Sequence, residues 1–142
     1  MATRSHLCFL AGVAALAATS ILPAQTPVSV PGTEQFAVKG RNGVEYQVQV
    51  WLPPGLDTMT VRPPAFYLTD GNLAFHAAHQ TQAMLSISGE VAPVIIVGVG
   101  YPQPDGRGYT PSYIVNRTRD YTPTNIAAMP GGGGSAAFLA FL

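Results

Sequence analysis

Four groups of side chains in this chain are of types that do chemistry, and each can be weighed by its spacing. His76 and His79 stand three apart in a segment that reads as helix, so both imidazoles fall on one side and could share a metal ion. A metal site needs three or four ligands, and the zinc-protease arrangement puts a Glu directly after the first His, where this chain has Ala77. The pair is therefore expected to be a core or surface feature of the helix. Arg117, Arg119 and Asp120 form a second group. An Arg fork there could clamp a carboxylate or phosphate of a ligand, but the commoner fate of neighbouring Arg and Asp is to pair and hold their own segment. Asp70-Gly71-Asn72 reads, on its residues alone, as a strand-to-helix turn with Asn72 as the cap. Ser135 follows Gly131 to Gly134, yet a nucleophile elbow needs a strand just before the Ser, and Met129-Pro130 precedes the glycines. Ser135 is expected to cap a helix instead. No Lys-Ser or Lys-Thr follows the glycines, which excludes a phosphate loop, and no Gly-x-Ser-x-Gly occurs anywhere.

The elements that must position these groups are legible in order. Glu34 to Lys39 and Val44 to Leu52 are extended runs around Gly40-Arg41-Asn42-Gly43, whose Asn-Gly suits the positive φ values of a hairpin turn. Val44, Tyr46, Val48, Val50 and Leu52 alternate with Glu45, Gln47, Gln49 and Trp51, which predicts a strand with one buried face. Ala65-Phe66-Tyr67-Leu68, between Pro64 and Asp70-Gly71, predicts a strand buried on both faces. A helix is predicted from Leu73 to about Ile87, with Leu73, His76 or Ala77, Gln80 or Ala83, Met84 and Ile87 on one side. Pro93 to Gly100 is β-branched without alternation, so strand, helix and strand make a βαβ unit with a parallel pair. Tyr101 to Gly134 lacks apolar periodicity and reads as a long loop. Ser135 to Leu142 begins an apolar helix that ends with the chain, so the chain reads as the front of something larger.

Composition restricts the class. With 47% hydrophobic and 10% charged residues the chain has ample material for a core, and seven basic residues against seven acidic mark no nucleic-acid surface. Arg4, the apolar stretch from Leu7 to Ala18 and the small residues around Ala24 predict a bacterial signal peptide over residues 1–24, hence export to the periplasm or medium. Cleavage at Ala15-Leu16-Ala17 and an uncleaved anchor are the alternatives. A lead-in over 25–32 and a domain over 33–142 follow. Cys8, the single cysteine, lies inside the leader, which removes disulfide, zinc-thiolate and cysteine-nucleophile readings for the mature chain. No cofactor is expected.

The order of elements, with Tyr67-Leu68-Thr69-Asp70-Gly71-Asn72, Gly98-Val99-Gly100-Tyr101-Pro102 and Asn116-Arg117-Thr118-Arg119-Asp120-Tyr121-Thr122-Pro123, resembles the exported esterases of the α/β-hydrolase fold. The nearest groups are the enterochelin-esterase-like and esterase D-like proteins, and the resemblance covers roughly residues 33–142. It implies an α/β fold: the N-terminal half of an α/β-hydrolase, truncated before the nucleophile strand, with a small-molecule ester as substrate of the full-length relative. It also implies that one oxyanion-hole donor is a backbone N–H of Gly71 or Asn72, and that Arg117, Arg119 and Asp120 belong to a substrate loop over the strand ends. The Ser, the Asp or Glu and the His of the triad would all follow later, so the chain alone is expected to be inactive. The alternative is a small exported binding module whose open sheet edge pairs with another chain, itself included.

Overall fold

The computed structural model describes residues 29–103 and 110–142; residues 1–24, expected above to be a signal peptide, and residues 25–28 of the expected lead-in lie outside the described residues. The elements are β1 (Thr33–Lys39), β2 (Glu45–Trp51), a 3₁₀ turn (Leu56–Thr58), β3 (Ala65–Leu68), α1 (Gly71–Ile87), β4 (Ile95–Gly100), α2 (Pro111–Tyr121) and α3 (Ser135–Leu139). The four strands form one sheet in the order β1-β2-β4-β3. β1 and β2 pair antiparallel, β2 and β4 antiparallel, and β3 and β4 parallel, so the hairpin and the βαβ unit share a single mixed sheet. This is the α/β architecture expected above.

Several local expectations are corrected. Gly43 alone takes the left-handed conformation in the hairpin turn, at φ 80°, while its amide donates to Gly40 O at 2.9 Å; Asn42 instead receives the amide of Val44 on its side chain. β2 is covered on both faces, not one, because Tyr46 is buried on one side and Trp51 on the other. β3 is not buried on both faces: it is an edge of the sheet, and Phe66 and Tyr67 are exposed. The inner stripe of α1 runs through Gly71, Phe75 and His79, whereas Leu73, Met84 and Ile87 are exposed.

The reason for that rotation of α1 lies in β4. A Cβ on Gly71 would sit 2.7 Å from Gly98 C, and one on Gly98 would sit 3.0 Å from the Phe75 ring, so helix and strand meet backbone to backbone. Glycine permits an approach that no other residue does. Trp51, Phe75 and Ile96 then form the core on the α1 face. On the opposite face Tyr46, Val99, Tyr101, Tyr113 and Phe138 form a second core, which joins the sheet to α2 and α3.

The segment read as a long loop contains α2. Thr110 caps it, its hydroxyl accepting from Tyr113 N at 3.3 Å, and Pro111 occupies the first turn, where its missing N–H costs nothing. The helix escaped apolar periodicity because its inward positions are Tyr113, Asp120 and Tyr121, which pack by hydroxyl and charge. At α3 the cap position is Gly134, not Ser135. Gly134 N donates to Arg119 O at 2.8 Å and Gly133 N to Thr122 O at 3.2 Å, so the glycine run docks against the end of α2.

Candidate functional site

The site grows from the junction between β3 and α1. Asp70 is the only non-glycine residue with positive φ among the described residues, at φ 55° and ψ 37°. Asp is among the few side chains that tolerate this region, where strain of order 1–3 kcal/mol persists only when the surroundings hold it. Here they do. Tyr113 Oη donates to Asp70 Oδ1 at 2.5 Å, Arg117 Nε donates to both carboxylate oxygens at 3.1 Å, and Tyr121 Oη donates to Oδ1 at 3.2 Å. Tyr121 Oη also accepts the backbone N–H of Asp70 at 2.9 Å, so one hydroxyl holds both ends of the same residue. Residues 113, 117 and 121 are spaced by four and form one face of α2.

This clamp fixes the start of α1. Asp70 O accepts the amides of Leu73 and Ala74 at 2.9 and 3.0 Å, which makes Asp70, not Asn72, the cap residue. The amides of Gly71 and Asn72 are left over by the helix's own ladder, as the first amides of any helix are, and they carry the positive end of its dipole. The Asn72 side chain serves elsewhere, since its Nδ2 donates to Tyr101 O at 2.8 Å and its Oδ1 accepts Tyr101 N at 2.7 Å. Its carboxamide thus continues the pairing of β4 beyond Gly100 and ties the turn after β3 to the end of β4. These two parallel strands end at the same edge, where open α/β sheets bind ligands.

Of the three charged residues singled out in the sequence, the structure places all on α2 rather than on a loop. Arg117 is half exposed, stacks over the Tyr121 ring at 4.8 Å and joins the Asp70 clamp, and its guanidinium is held more basic than usual by that hydrogen bond to Asp70. Arg119 and Asp120 pair with each other instead. Arg119 Nε and Nη2 donate to the two Asp120 oxygens at 2.7 and 2.8 Å, Nη1 reaches Asn116 Oδ1 at 2.9 Å, and the Asp120 side chain is fully buried. Tyr101 Oη also donates to Asp120, at 3.0 Å. Burial first, then the neighbouring Asp120 carboxylate, pushes the Tyr101 hydroxyl up, and burial followed by the Asp70 hydrogen bond does the same to Tyr113. Both phenols therefore stay protonated as donors.

His76 and His79 lie on α1 away from this edge, and no three His, Cys, Asp or Glu side chains converge on a common point among the described residues. Sequence reasoning missed Asp70, Tyr113 and Tyr121 as parts of the site. The available signal was the Thr110-Pro111 helix start followed by the 113, 117, 121 spacing.

A family model described as Putative esterase matches residues 40–128. The siderophore triacetylfusarinine C esterase of Aspergillus fumigatus is 35% identical over 121 residues, covering 82% of this chain and 40% of that protein. The solved structure of the BES protein from Bacillus cereus is similar with a TM-score of 0.70 and 29% identity, over 83% of this chain and 45% of that one. The siderophore hydrolase EstB from Aspergillus nidulans is similar with a TM-score of 0.69 and 30% identity, over 83% and 42%. The chain spans less than half the length of these relatives.

Proposed function

The chain belongs to the Putative esterase family, and from that premise we propose that it supplies the oxyanion-binding and substrate-facing part of an exported serine ester hydrolase. The observation that carries this reading is the clamped Asp70-Gly71-Asn72 turn, with the Gly71 and Asn72 amides left outside the helix's own ladder at the shared edge of β3 and β4. When a serine Oγ adds to an ester carbonyl, the carbonyl oxygen becomes an alkoxide, and rigid N–H donors that need no reorganisation lower that barrier most. The Gly71 and Asn72 amides are assigned that role. Arg117, anchored through Nε, is assigned to an anionic or strongly polar group of the substrate, while Arg119 and Asp120 hold α2 in place. The substrate class is a small-molecule ester, and the two fungal relatives favour siderophore esters within it.

The 142 residues hold no Gly-x-Ser-x-Gly, so the chain alone is assigned no turnover. The apolar stretch from Leu7 to Ala18 supports export. The test is a chimera joining residues 33–142 to the remaining C-terminal part of EstB, assayed with p-nitrophenyl acetate beside the chain alone. The chimera is expected to hydrolyse the ester and the chain alone to match a heat-treated control. A folded but inert chimera would remove the esterase reading, and turnover by the chain alone would remove the assignment of inactivity.

A second reading, a binding module that associates through its sheet edge, is favoured by the unpaired outer side of β3 with Phe66 and Tyr67 exposed. Sedimentation of the chain separates the two: a defined, cooperatively melting oligomer supports the module.

A further inference from the structure

His79 is a buried polar side chain for which ester chemistry has no use. It is 2% exposed, lies against Trp51 with ring centroids 5.9 Å apart and planes at 24°, and meets Phe75 at 5.2 Å. Its Nε2 lies 3.3 Å from Nδ1 of the exposed His76. We propose that this histidine pair is a proton-operated latch that fastens α1 to the sheet at neutral pH and releases it in acid. Such a latch is independent of ester hydrolysis.

Two ring nitrogens facing each other can share one proton, one as donor and the other as acceptor. In the neutral pair the Nε2 of His79 accepts from the Nδ1–H of His76. A proton added to Nε2 of His79 removes that acceptor and sets a second N–H, with a positive charge in a buried place, against the His76 ring. Among the described residues no carboxylate compensates the buried cation: β2 presents Trp51 to it, α1 presents Phe75, and His76 is the titratable group that acts on it. Burial, and after it the His76 charge, lowers the affinity of His79 for a proton. The unfolded chain therefore binds more protons than the folded one below about pH 6.5, and the stability that neutral His79 contributes is present above that value and lost as pH falls through its depressed folded value. Release begins beside Trp51 and acts on α1, the helix that starts at the Gly71 and Asn72 turn.

Trp51 is the only tryptophan, so its emission reports on the latch directly. In the full chain, titrated from about pH 8 to about pH 4.5, Trp51 fluorescence is expected to show one transition with a midpoint below about 6.5. Exchange of the α1 amides, corrected for intrinsic rates, should accelerate with it by about tenfold per pH unit between about 6.5 and that midpoint. His79→Gln keeps a partner for His76 without titrating and should abolish the transition. His76→Gln removes the facing charge and should move the midpoint upward. A flat wild-type titration, unchanged α1 exchange, or a transition that survives His79→Gln overturns the latch. If His79→Gln does not fold, ¹⁵N shifts of the wild-type rings decide: titration of His79 below about 6.5 together with Trp51 supports it, and titration at or above that value refutes it.

Discussion

The two faces of the sheet are held by different physics. On the α1 face, Gly71 meets Gly98 backbone to backbone, and Trp51, Phe75 and Ile96 close an apolar core around that contact. On the α2 face, aromatic rings fill the interior, but the tie to the strands runs through hydroxyls and carboxylates: Tyr101 to Asp120, Tyr113 and Tyr121 to Asp70. The first face is set by what is missing from its side chains. The second is set by directional bonds that fail one by one. The turn at Asp70, Gly71 and Asn72 belongs to both, since its glycine packs on β4 while its aspartate is clamped by α2.

That contrast can be broken from either side. The largest effect is expected from Asp120→Ala, which leaves the Arg119 guanidinium and the Tyr101 hydroxyl without their buried partner. Removing one member of such a buried set costs about 3–5 kcal/mol, so urea unfolding should shift to a much lower midpoint or lose its cooperativity. A shift below about 1 kcal/mol, on the order of a surface pair, would mean that the second face is held by its rings alone. Gly71→Ala should come next. The added methyl would stand 2.7 Å from Gly98 C and 2.9 Å from Val99 N, both backbone atoms that cannot swing aside. Overpacking of this kind costs about 1–3 kcal/mol, and it should move Trp51 emission while the tyrosine signals of the other face stay in place. An unchanged melt would show that α1 can slide on β4. The smallest effect is expected from Arg117→Ala, because that ion pair is half exposed and Tyr113 and Tyr121 still hold Asp70. A loss below about 1 kcal/mol is expected in the same urea experiment; a loss equal to that of Asp120→Ala would place Arg117 among the essential ties.

Much of the α1 face could be read along the chain, because its determinants are local and periodic. The hairpin, the βαβ unit and the paired glycines of Gly98-Val99-Gly100 lie within continuous segments, and the order of those segments carried the resemblance to esterases. The rotation of α1 could not be read so. Leu73, Met84 and Ile87 are more apolar than His79, yet the glycine contact and the Trp51 ring turn His79 inward. The α2 face was hidden for a related reason. Tyr113, Arg117 and Tyr121 look like solvent-facing residues until Asp70, between 43 and 51 positions earlier, is brought beneath them.

By itself the sequence determined the hairpin, the βαβ unit, their order along the chain, the family and the lack of a nucleophile elbow, since each depends on residue types within a short span. Only the tertiary structure decided which residues make the candidate site. The left-handed Asp70, its three ties to α2 and the cross-link from Asn72 to Tyr101 join segments far apart in the chain, and no local pattern encodes the distance between two side chains that folding alone brings together.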